Sequence, residues 1–392
     1  YKERKLKSIN LSRTLEDSGT LTSALVPWNT CGAYMSATLG VSTFYYAPFA
    51  FFNLLCPIIA IIYGFALIGV PKLEEPLEET AGSAAIADWS LMNVMIKTLL
   101  FTIVLASSCI SFADNQVHES FDGDKALAHI NRQVSFGPRT LDNPKAKAET
   151  LSFIADYLQP LATKLIVQPF SANGISGNNV WASFINSKPH SNQRIMLGAH
   201  WDTRPISDQE SDSSKQHLPT PGANDGGSGV AVLLELARIF AANPPPISVD
   251  LVFFDLEDMG NIDNLPFAIG ARAFVKRNRF YRPNGGVIVD MVCDKNLSIP
   301  QELYSKTQAT ELVNKLWEIA AQQEATVFSE NQGAYIQDDH LPFLEANIPV
   351  VDLIHYPFPD YWHTSEDTLD KCSSDSLRQV GNVLLSLVYE SG

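Results

Sequence analysis

After residue 113 the sequence alternates between short apolar runs and longer segments whose apolar residues recur every three or four positions. The short runs are typical of buried strands, and the longer segments are typical of amphipathic helices. Strands that alternate with helices favour a largely parallel sheet with helices on both faces. We therefore predict one α/β domain over residues 114–392, with a mostly parallel central sheet flanked by helices.

The same pattern places the individual elements. The predicted strands cover residues 163–170, 179–186, 194–199, 249–254, 286–289 and 349–354. The predicted helices cover residues 145–157, 229–242, 270–277, 310–322 and 374–389.

Charged side chains stand where several predicted strands give way to loops. They are His200, Asp202, Asp225, Asp255, Glu257, Asp258, Asp290, Asp338, Asp339, His340 and His363. Ligands of open α/β sheets bind at the carboxyl ends of the strands. Carboxylates and histidines at these ends indicate a hard-metal or general acid/base site, and we predict a zinc enzyme.

Several of these residues also have a purely structural interpretation. Asn224 and Asp225 precede a predicted helix, and either one would cap its N-terminus. Glu257 and Asp258 are neighbouring carboxylates, which repel unless a cation lies between them or one is protonated. The alternative for this pair is a solvated turn. Asp290 ends a buried strand, and its alternative partner is an arginine in a salt bridge.

The histidines present a similar choice. His363 follows Trp362 in a loop after a strand, and for this histidine we favour metal ligation over a structural role. His200 and Asp202 suit either a second metal or an internal hydrogen-bonded support.

The composition argues against some partners and sites. A net charge of −15 argues against nucleic acid as a partner, because phosphate neutralisation needs Lys and Arg. The five cysteines include no CxxC pair, which argues against a thiolate zinc site. A disulfide between Cys293 and Cys372 is an alternative that we do not favour, since nothing in the sequence places the two together.

The first 113 residues have a different character. Residues 44–70 carry no charge and are long enough to cross the hydrocarbon core of a bilayer, and residues 20–39 form a second uncharged stretch. We assign residues 1–90 to a membrane-spanning region with an acidic linker. We assign residues 95–113 to a signal peptide or signal anchor, with small residues at a cut after Ala113.

Part of this region resembles a transporter family. The segments LSRTLEDSGT at residues 11–20 and VPWNTCGAYM at residues 26–35 resemble the C-terminal end of bacterial sodium/proton antiporters, over about residues 8–70. Such transport needs a whole helical bundle with sites near its midplane. We therefore expect no transport from this fragment, which is joined to a second precursor either naturally or through gene calling.

The segments of the globular part, in their order and spacing, resemble glutaminyl-peptide cyclotransferases, in particular the bacterial members. The most specific are DDHLPFL at residues 338–344 and PFPDYWHTSEDTL at residues 357–369, within a similarity over about residues 120–392. The wider family is that of zinc aminopeptidases, which share the α/β frame and usually hold two zinc ions.

This resemblance implies one zinc ion per chain, held by Asp225, Asp258 and His363, with a fourth position left open. It makes Glu257 the general acid/base beside the metal. The implied substrates are peptides or proteins with an N-terminal glutamine. The α-amine attacks its own side-chain carbonyl, ammonia leaves, and pyroglutamate remains.

Further site residues follow from the same resemblance. Asp290 and Asp338 would form a hydrogen-bonded acidic pair that helps to position the substrate amine, and Trp362 would wall the side-chain pocket. The sequence departs from the family after Asp258, where an aromatic loop is usual and no Trp follows. Phe267 is the candidate substitute.

A two-zinc aminopeptidase is the rival interpretation. His200 and Asp290 would complete its second metal site across Asp225, and the enzyme would hydrolyse N-terminal residues broadly. We favour the cyclase because of residues 338–340 and 362–363.

The placement of positive charge predicts the side of the membrane. Lys2, Arg4, Lys5 and Lys7 favour a cytoplasmic N-terminus under the positive-inside rule. If both uncharged stretches cross, the third apolar run starts from inside and carries the enzyme out. We therefore expect a bacterial, exported, monomeric catalytic domain, which is periplasmic or remains tethered to the membrane.

Overall fold

A six-stranded mixed sheet lies at the centre of the structure, a computed structural model that describes residues 120–186 and 193–390. In chain order the strands are β1 Lys164–Ala172, β2 Ile175–Phe184, β3 Arg194–His200, β4 Ser248–Phe254, β5 Gly285–Asp290, β6 Ile299–Gln301, β7 Phe328–Gln332 and β8 Val350–Ile354. The central sheet has the order β1-β2-β4-β3-β5-β8, and β6 pairs with β7 in a separate ladder.

The central sheet is parallel in only one part. β4, β3, β5 and β8 run parallel to one another, as the sequence predicts. β1 and β2 instead form an antiparallel hairpin, and β2 joins β4 in antiparallel register. The hairpin turns at Asn173 and Gly174, whose φ angles of 55° and 82° suit a tight two-residue turn. The prediction of a mostly parallel sheet is wrong for β1 and β2, because it gave no weight to this Asn-Gly pair.

Helices pack on the sheet. In chain order they are α1 Gly123–Ser135, α2 Pro144–Leu158, α3 Gly227–Ala242, α4 Ile269–Arg277, α5 Leu303–Gln308, α6 Thr310–Gln322, α7 Leu341–Glu345 and α8 Ser374–Tyr389. The five predicted helices correspond to α2, α3, α4, α6 and α8. The sequence pattern does not predict α1, whose buried apolar side chains are only Ala126 and Ile130, or the short α5 and α7.

Both faces of the central strands are buried, which explains why these strands are continuous apolar runs. In β4, Leu251 and Phe253 belong to a core shared with α1, α3 and α8. Val252 and Phe254 belong to a second core on the other face, shared with α4 and α7. Neighbouring residues thus alternate between the two cores, as the two-residue period of a strand requires. The packed strands provide a rigid base for the loops at their carboxyl ends.

Cys293 and Cys372 form a disulfide with an S–S distance of 2.06 Å. Cys293 lies after β5 and Cys372 lies before α8, and the backbone N–H of Ser373 donates to the carbonyl of Cys293 at 2.6 Å. The expectation against this pair is wrong. The two cysteines are 79 residues apart in the sequence, and only the folded sheet brings their loops together.

The predicted membrane segments, the signal sequence and the cut after Ala113 all lie outside the described residues. Within residues 120–186 and 193–390, none of the helices is both long enough and apolar enough to span a bilayer.

Candidate active site

A pocket of about 330 Å³ opens at the carboxyl ends of β4, β5 and β8. The chain passes outward from β3 to β4 and then back across β3 to β5, so the pocket lies where the strand order reverses. The eight site residues predicted from the sequence all line this pocket: Asp225, Glu257, Asp258, Phe267, Asp290, Asp338, Trp362 and His363.

Three side chains converge within the pocket. His363 Nε2 lies 3.3 Å from Asp258 Oδ1 and 3.5 Å from Asp225 Oδ2. Zinc bonds in tetrahedral geometry separate neighbouring ligand atoms by about 3.4 Å. All three residues are buried, and Asp258 Oδ2 has no hydrogen-bond partner among the described residues. One imidazole and two carboxylates at this spacing fit a catalytic zinc ion with an open position.

Both site histidines are surrounded by negative charge. Burial alone would lower the pKa of His363, but Asp258 and Asp208 raise it to about 9. Burial also opposes a charge on His200, but Asp290 and Asp202 raise its pKa well above the usual range. The carboxylates that favour a proton in each place also favour a metal cation.

Buried carboxylates hold the backbone of the ligand loops. Asp202 accepts hydrogen bonds from the backbone N–H groups of Glu257 at 3.0 Å and Asp258 at 3.2 Å. Asp367 accepts one from the backbone N–H of Asp225 at 3.0 Å. Asp202 therefore has the geometry of an internal support, which is one of the two roles that the sequence leaves open for it.

Neither Asn224 nor Asp225 caps α3. The N-cap position is Gly226, and none of the described side chains caps this helix. Asn224 Oδ1 instead accepts a hydrogen bond from the backbone N–H of Cys293 at 2.9 Å. Gly226 has a φ of 79°, and a Cβ added there would lie 2.6 Å from the carbonyl oxygen of Asp202. The helix-cap interpretation is therefore wrong, because the tight glycine turn leaves the Asp225 side chain facing the pocket.

A second group of possible ligands adjoins the first. His200 Nε2 lies 3.1 Å from Asp225 Oδ1 and 3.1 Å from Asp290 Oδ1. Asp225 thus offers one oxygen to each group, as a carboxylate that bridges two metals would. The described partner of Asp290 is this histidine, and not the arginine of the salt-bridge alternative.

Glu257, Asp290 and Asp338 add further carboxylates to the pocket. Burial and the carboxylate of Asp338 raise the pKa of Glu257 well above its usual range. Burial and Asp290 raise the pKa of Asp338 to about 6. The described hydrogen bonds include none between Asp290 and Asp338, since Asp290 contacts His200 instead. The hydrogen-bonded pair stays a prediction, and the raised pKa values of the Asp290 and Asp338 carboxyl groups, caused first by burial, favour the shared proton that such a pair needs.

Aromatic rings form one wall of the pocket. Trp362 stacks on Phe358 with ring centroids 4.3 Å apart, and on His363 at 3.7 Å. Phe267 also lines the pocket, in the loop where the sequence lacks the expected Trp. The Trp362 ring, stacked on the imidazole of His363, fixes the plane of this candidate ligand.

Sequence reasoning missed several residues of this region. Met291, Ile336 and Phe358 line the pocket, and their only sequence signal is that each lies close to a predicted site residue. Arg204 and Asp208 contact the candidate ligands, and their signal is their position soon after His200 and Asp202. Further pocket residues that were missed are Asn261, Tyr335, Gln337 and Ile354.

A buried histidine lies close to the pocket residue Asp338. His340 Nε2 is 3.2 Å from Glu302 Oε2, and His340 Nδ1 is 3.5 Å from Asp352 Oδ2. Asp338, His340 and Asp352 form a third group whose polar atoms lie close enough for one ion. Glu302, which contacts His340, also caps the N-terminus of α5. His340 and Asp338 therefore connect this helix terminus to the pocket.

Comparison with known proteins places this site in a family. Residues 179–388, which include the three candidate ligands, match the model of peptidase family M28. The chain belongs to peptidase family M28. Its site chemistry agrees with the zinc dependence of enzymes of this family.

The M28 domain is similar to solved structures of two kinds. It is 33% identical to a glutaminyl cyclase from Tannerella forsythia, over 69% of this chain and 99% of that chain, with a TM-score of 0.64. It is 32% identical to a Zn-dependent exopeptidase from Parabacteroides distasonis, over 69% of this chain and 99% of that chain, with a TM-score of 0.63. The fold is thus that of the zinc exopeptidases and glutaminyl cyclases.

The M28 match does not include the N-terminal region. Residues 1–68 match the Na+/H+ antiporter family. The chain is 46% identical over 82 residues to the Na(+)/H(+) antiporter NhaC of Alkalihalophilus pseudofirmus, which is 21% of this chain and 18% of the antiporter. The chain is also 27% identical over 207 residues to the aminopeptidase YwaD of Bacillus subtilis. This match covers 50% of the chain and only 41% of the aminopeptidase. Both resemblances expected from the sequence are confirmed.

Proposed function

We propose that residues 114–392 form a glutaminyl-peptide cyclotransferase, which converts N-terminal glutamine to pyroglutamate and releases ammonia. The observation that carries the proposal is that Asp338 and Trp362 line the same pocket as the candidate ligands. These two residues belong to the segments that most specifically resemble glutaminyl cyclases. The proposal assigns the zinc ion to Asp225, Asp258 and His363.

Zinc bound at these three residues would supply a Lewis acid for the γ-carbonyl of the substrate glutamine. Glu257 accepts a proton from the attacking α-amine and donates one to the leaving ammonia, which is general acid/base catalysis. This role is supported by the burial of Glu257 in the pocket and by its position directly before Asp258. The reaction needs no activated water as nucleophile.

The rest of the pocket orients the substrate. Asp290 and Asp338 accept hydrogen bonds from the α-amino group, since both carboxylates line the pocket. Trp362 and Phe267 pack against the glutamine side chain and hold it folded back toward its own amine. Fixing a flexible side chain in a reactive geometry lowers the barrier by several kcal/mol, part of the roughly 7–11 kcal/mol that ideal intramolecular positioning supplies.

A two-zinc aminopeptidase is the second candidate function. The observation in its favour is the His200 group, in which Asp225 and Asp290 both lie 3.1 Å from the same ring nitrogen. Metal analysis separates the two proposals. We expect one tightly held zinc ion per chain, and a second one accompanied by release of free amino acids would contradict the cyclase.

The catalytic domain is proposed to act outside the cytoplasm as a monomer, on peptides that reach the pocket from solution. Its link to the membrane would be through residues 1–90 or 95–113. We expect alkaline phosphatase fused after residue 392 to be active in a bacterial host, because alkaline phosphatase is active only when it is exported from the cytoplasm. A fusion that is active only with a cytoplasmic reporter would overturn this topology.

A further inference from the structure

Arg204 is a buried cation in the loop after β3, with a side chain only 3% exposed. Its guanidinium group forms a bidentate salt bridge with Asp208, donating from Nε to Oδ1 at 2.8 Å and from Nη2 to Oδ2 at 2.6 Å. A bidentate pair fixes the relative orientation of the two side chains as well as pairing their charges. The positions of Arg204 and Asp208 are therefore coupled.

The remaining nitrogen of Arg204 reaches the loop that carries a candidate zinc ligand. Nη1 donates to Asp258 Oδ1 at 3.1 Å and to the Asp258 carbonyl at 3.3 Å. It also donates to the carbonyl of Gly260 at 3.2 Å. One guanidinium group thus fixes both the carboxylate of Asp258 and the backbone that follows it.

Asp208 reaches the loop of a different candidate ligand. Its Oδ1 lies 3.3 Å from Nδ1 of His363, while Nε2 of the same ring faces Asp258 and Asp225. The neighbouring Gln209 donates its backbone N–H to the carbonyl of His363 at 3.2 Å. A carboxylate on the second ring nitrogen sets the orientation of a metal-binding histidine.

We infer that Arg204 and Asp208 form a positioning pair, which holds Asp258 and His363 at the mutual spacing that zinc requires. The third ligand, Asp225, is held separately by Asp367. The inference rests on the proposed zinc site, but it does not depend on which reaction the site catalyses. The pair contacts the ligands, and neither residue is among the described residues that line the pocket.

The test compares zinc affinity in the whole chain and in three variants by competition with a chelator. Asp208→Asn keeps the shape of the side chain and removes its negative charge. Arg204→Lys keeps the positive charge and removes the planar guanidinium that donates in bidentate geometry. We expect each to lower zinc affinity by about 10- to 100-fold. The matched control is Arg194→Lys, which alters a similar ion pair with Asp250 at 2.7 Å near the start of β3 and should leave zinc affinity unchanged.

A second readout excludes a general structural role. We expect zinc-free Asp208→Asn to keep the circular dichroism spectrum and melting temperature of the zinc-free parent, and to regain most of its kcat at saturating zinc. Unchanged zinc affinity in both site variants, an equal loss in Arg194→Lys, or loss of the fold in Asp208→Asn would overturn the inference. A parent chain that holds no zinc would contradict the zinc site itself, and this outcome is distinct from a wrong choice of reaction.

Discussion

His363→Ala is expected to abolish zinc binding and activity together. The substitution removes one of three candidate ligands, and the only nitrogen among them. The loss of zinc affinity should exceed the roughly 10- to 100-fold that removal of an outer partner costs. Metal content after dialysis and turnover of a glutaminyl peptide at the same protein concentration measure the two effects.

The matched control for this variant is His217→Ala, since His217 is exposed and lies outside the pocket. The control should retain both zinc and turnover. A His363→Ala protein that keeps its zinc would show that the metal is held elsewhere, and the His200 group would then be the first alternative.

Glu257→Gln is expected to retain zinc and to lose turnover. The amide has nearly the same shape as the carboxylate, but it cannot accept the proton from the attacking amine. General acid/base catalysis contributes about 10²- to 10⁴-fold, and we expect kcat to fall by that factor. Steady-state kinetics with a glutaminyl peptide, on protein of measured zinc content, checks the prediction.

The control is Glu345→Gln, which makes the same change at an exposed ion pair with Arg272. It should be indistinguishable from the parent chain. Near-normal turnover in Glu257→Gln would assign proton transfer to another carboxylate, most directly to Asp290 in the same pocket.

The sequence predicts the parallel strands well because their burial on both faces leaves a clear trace. A strand that packs on two cores is apolar along its whole length, so a charged residue at its end is easily recognised in the sequence. Glu257 and Asp258 after β4, and Asp290 at the end of β5, are found in this way. Parallel strands present their carboxyl ends at one edge, so these residues meet in one pocket.

Other features depend on contacts between distant segments and have no local trace. Cys293 and Cys372 form a pair across 79 residues, because the loop after β5 meets the start of α8. Asp208 reaches His363 across an even longer stretch of sequence, and neither residue type predicts that contact. The β1–β2 hairpin is a different case, because its Asn-Gly turn is a local signal in the sequence. The alternation of strands and helices was given more weight than this signal, and it predicted parallel strands.

The residue types also do not predict which reaction the site catalyses, because Asp225 belongs to two candidate metal sites at once. Its two oxygens lie 3.1 Å from His200 and 3.5 Å from His363. A cyclase and an aminopeptidase would use the same residues with a different number of ions. The residue types alone therefore leave the reaction open, and the distinction must come from the products.

The most direct measurement is mass spectrometry of the products from a peptide with N-terminal glutamine, together with an assay for ammonia. The one-zinc cyclase account predicts a pyroglutamyl peptide of unchanged length, and ammonia in equal amount. The Glu257→Gln variant serves as the control for spontaneous cyclisation. Release of free glutamine with a peptide shortened by one residue would contradict the account and support the two-zinc aminopeptidase.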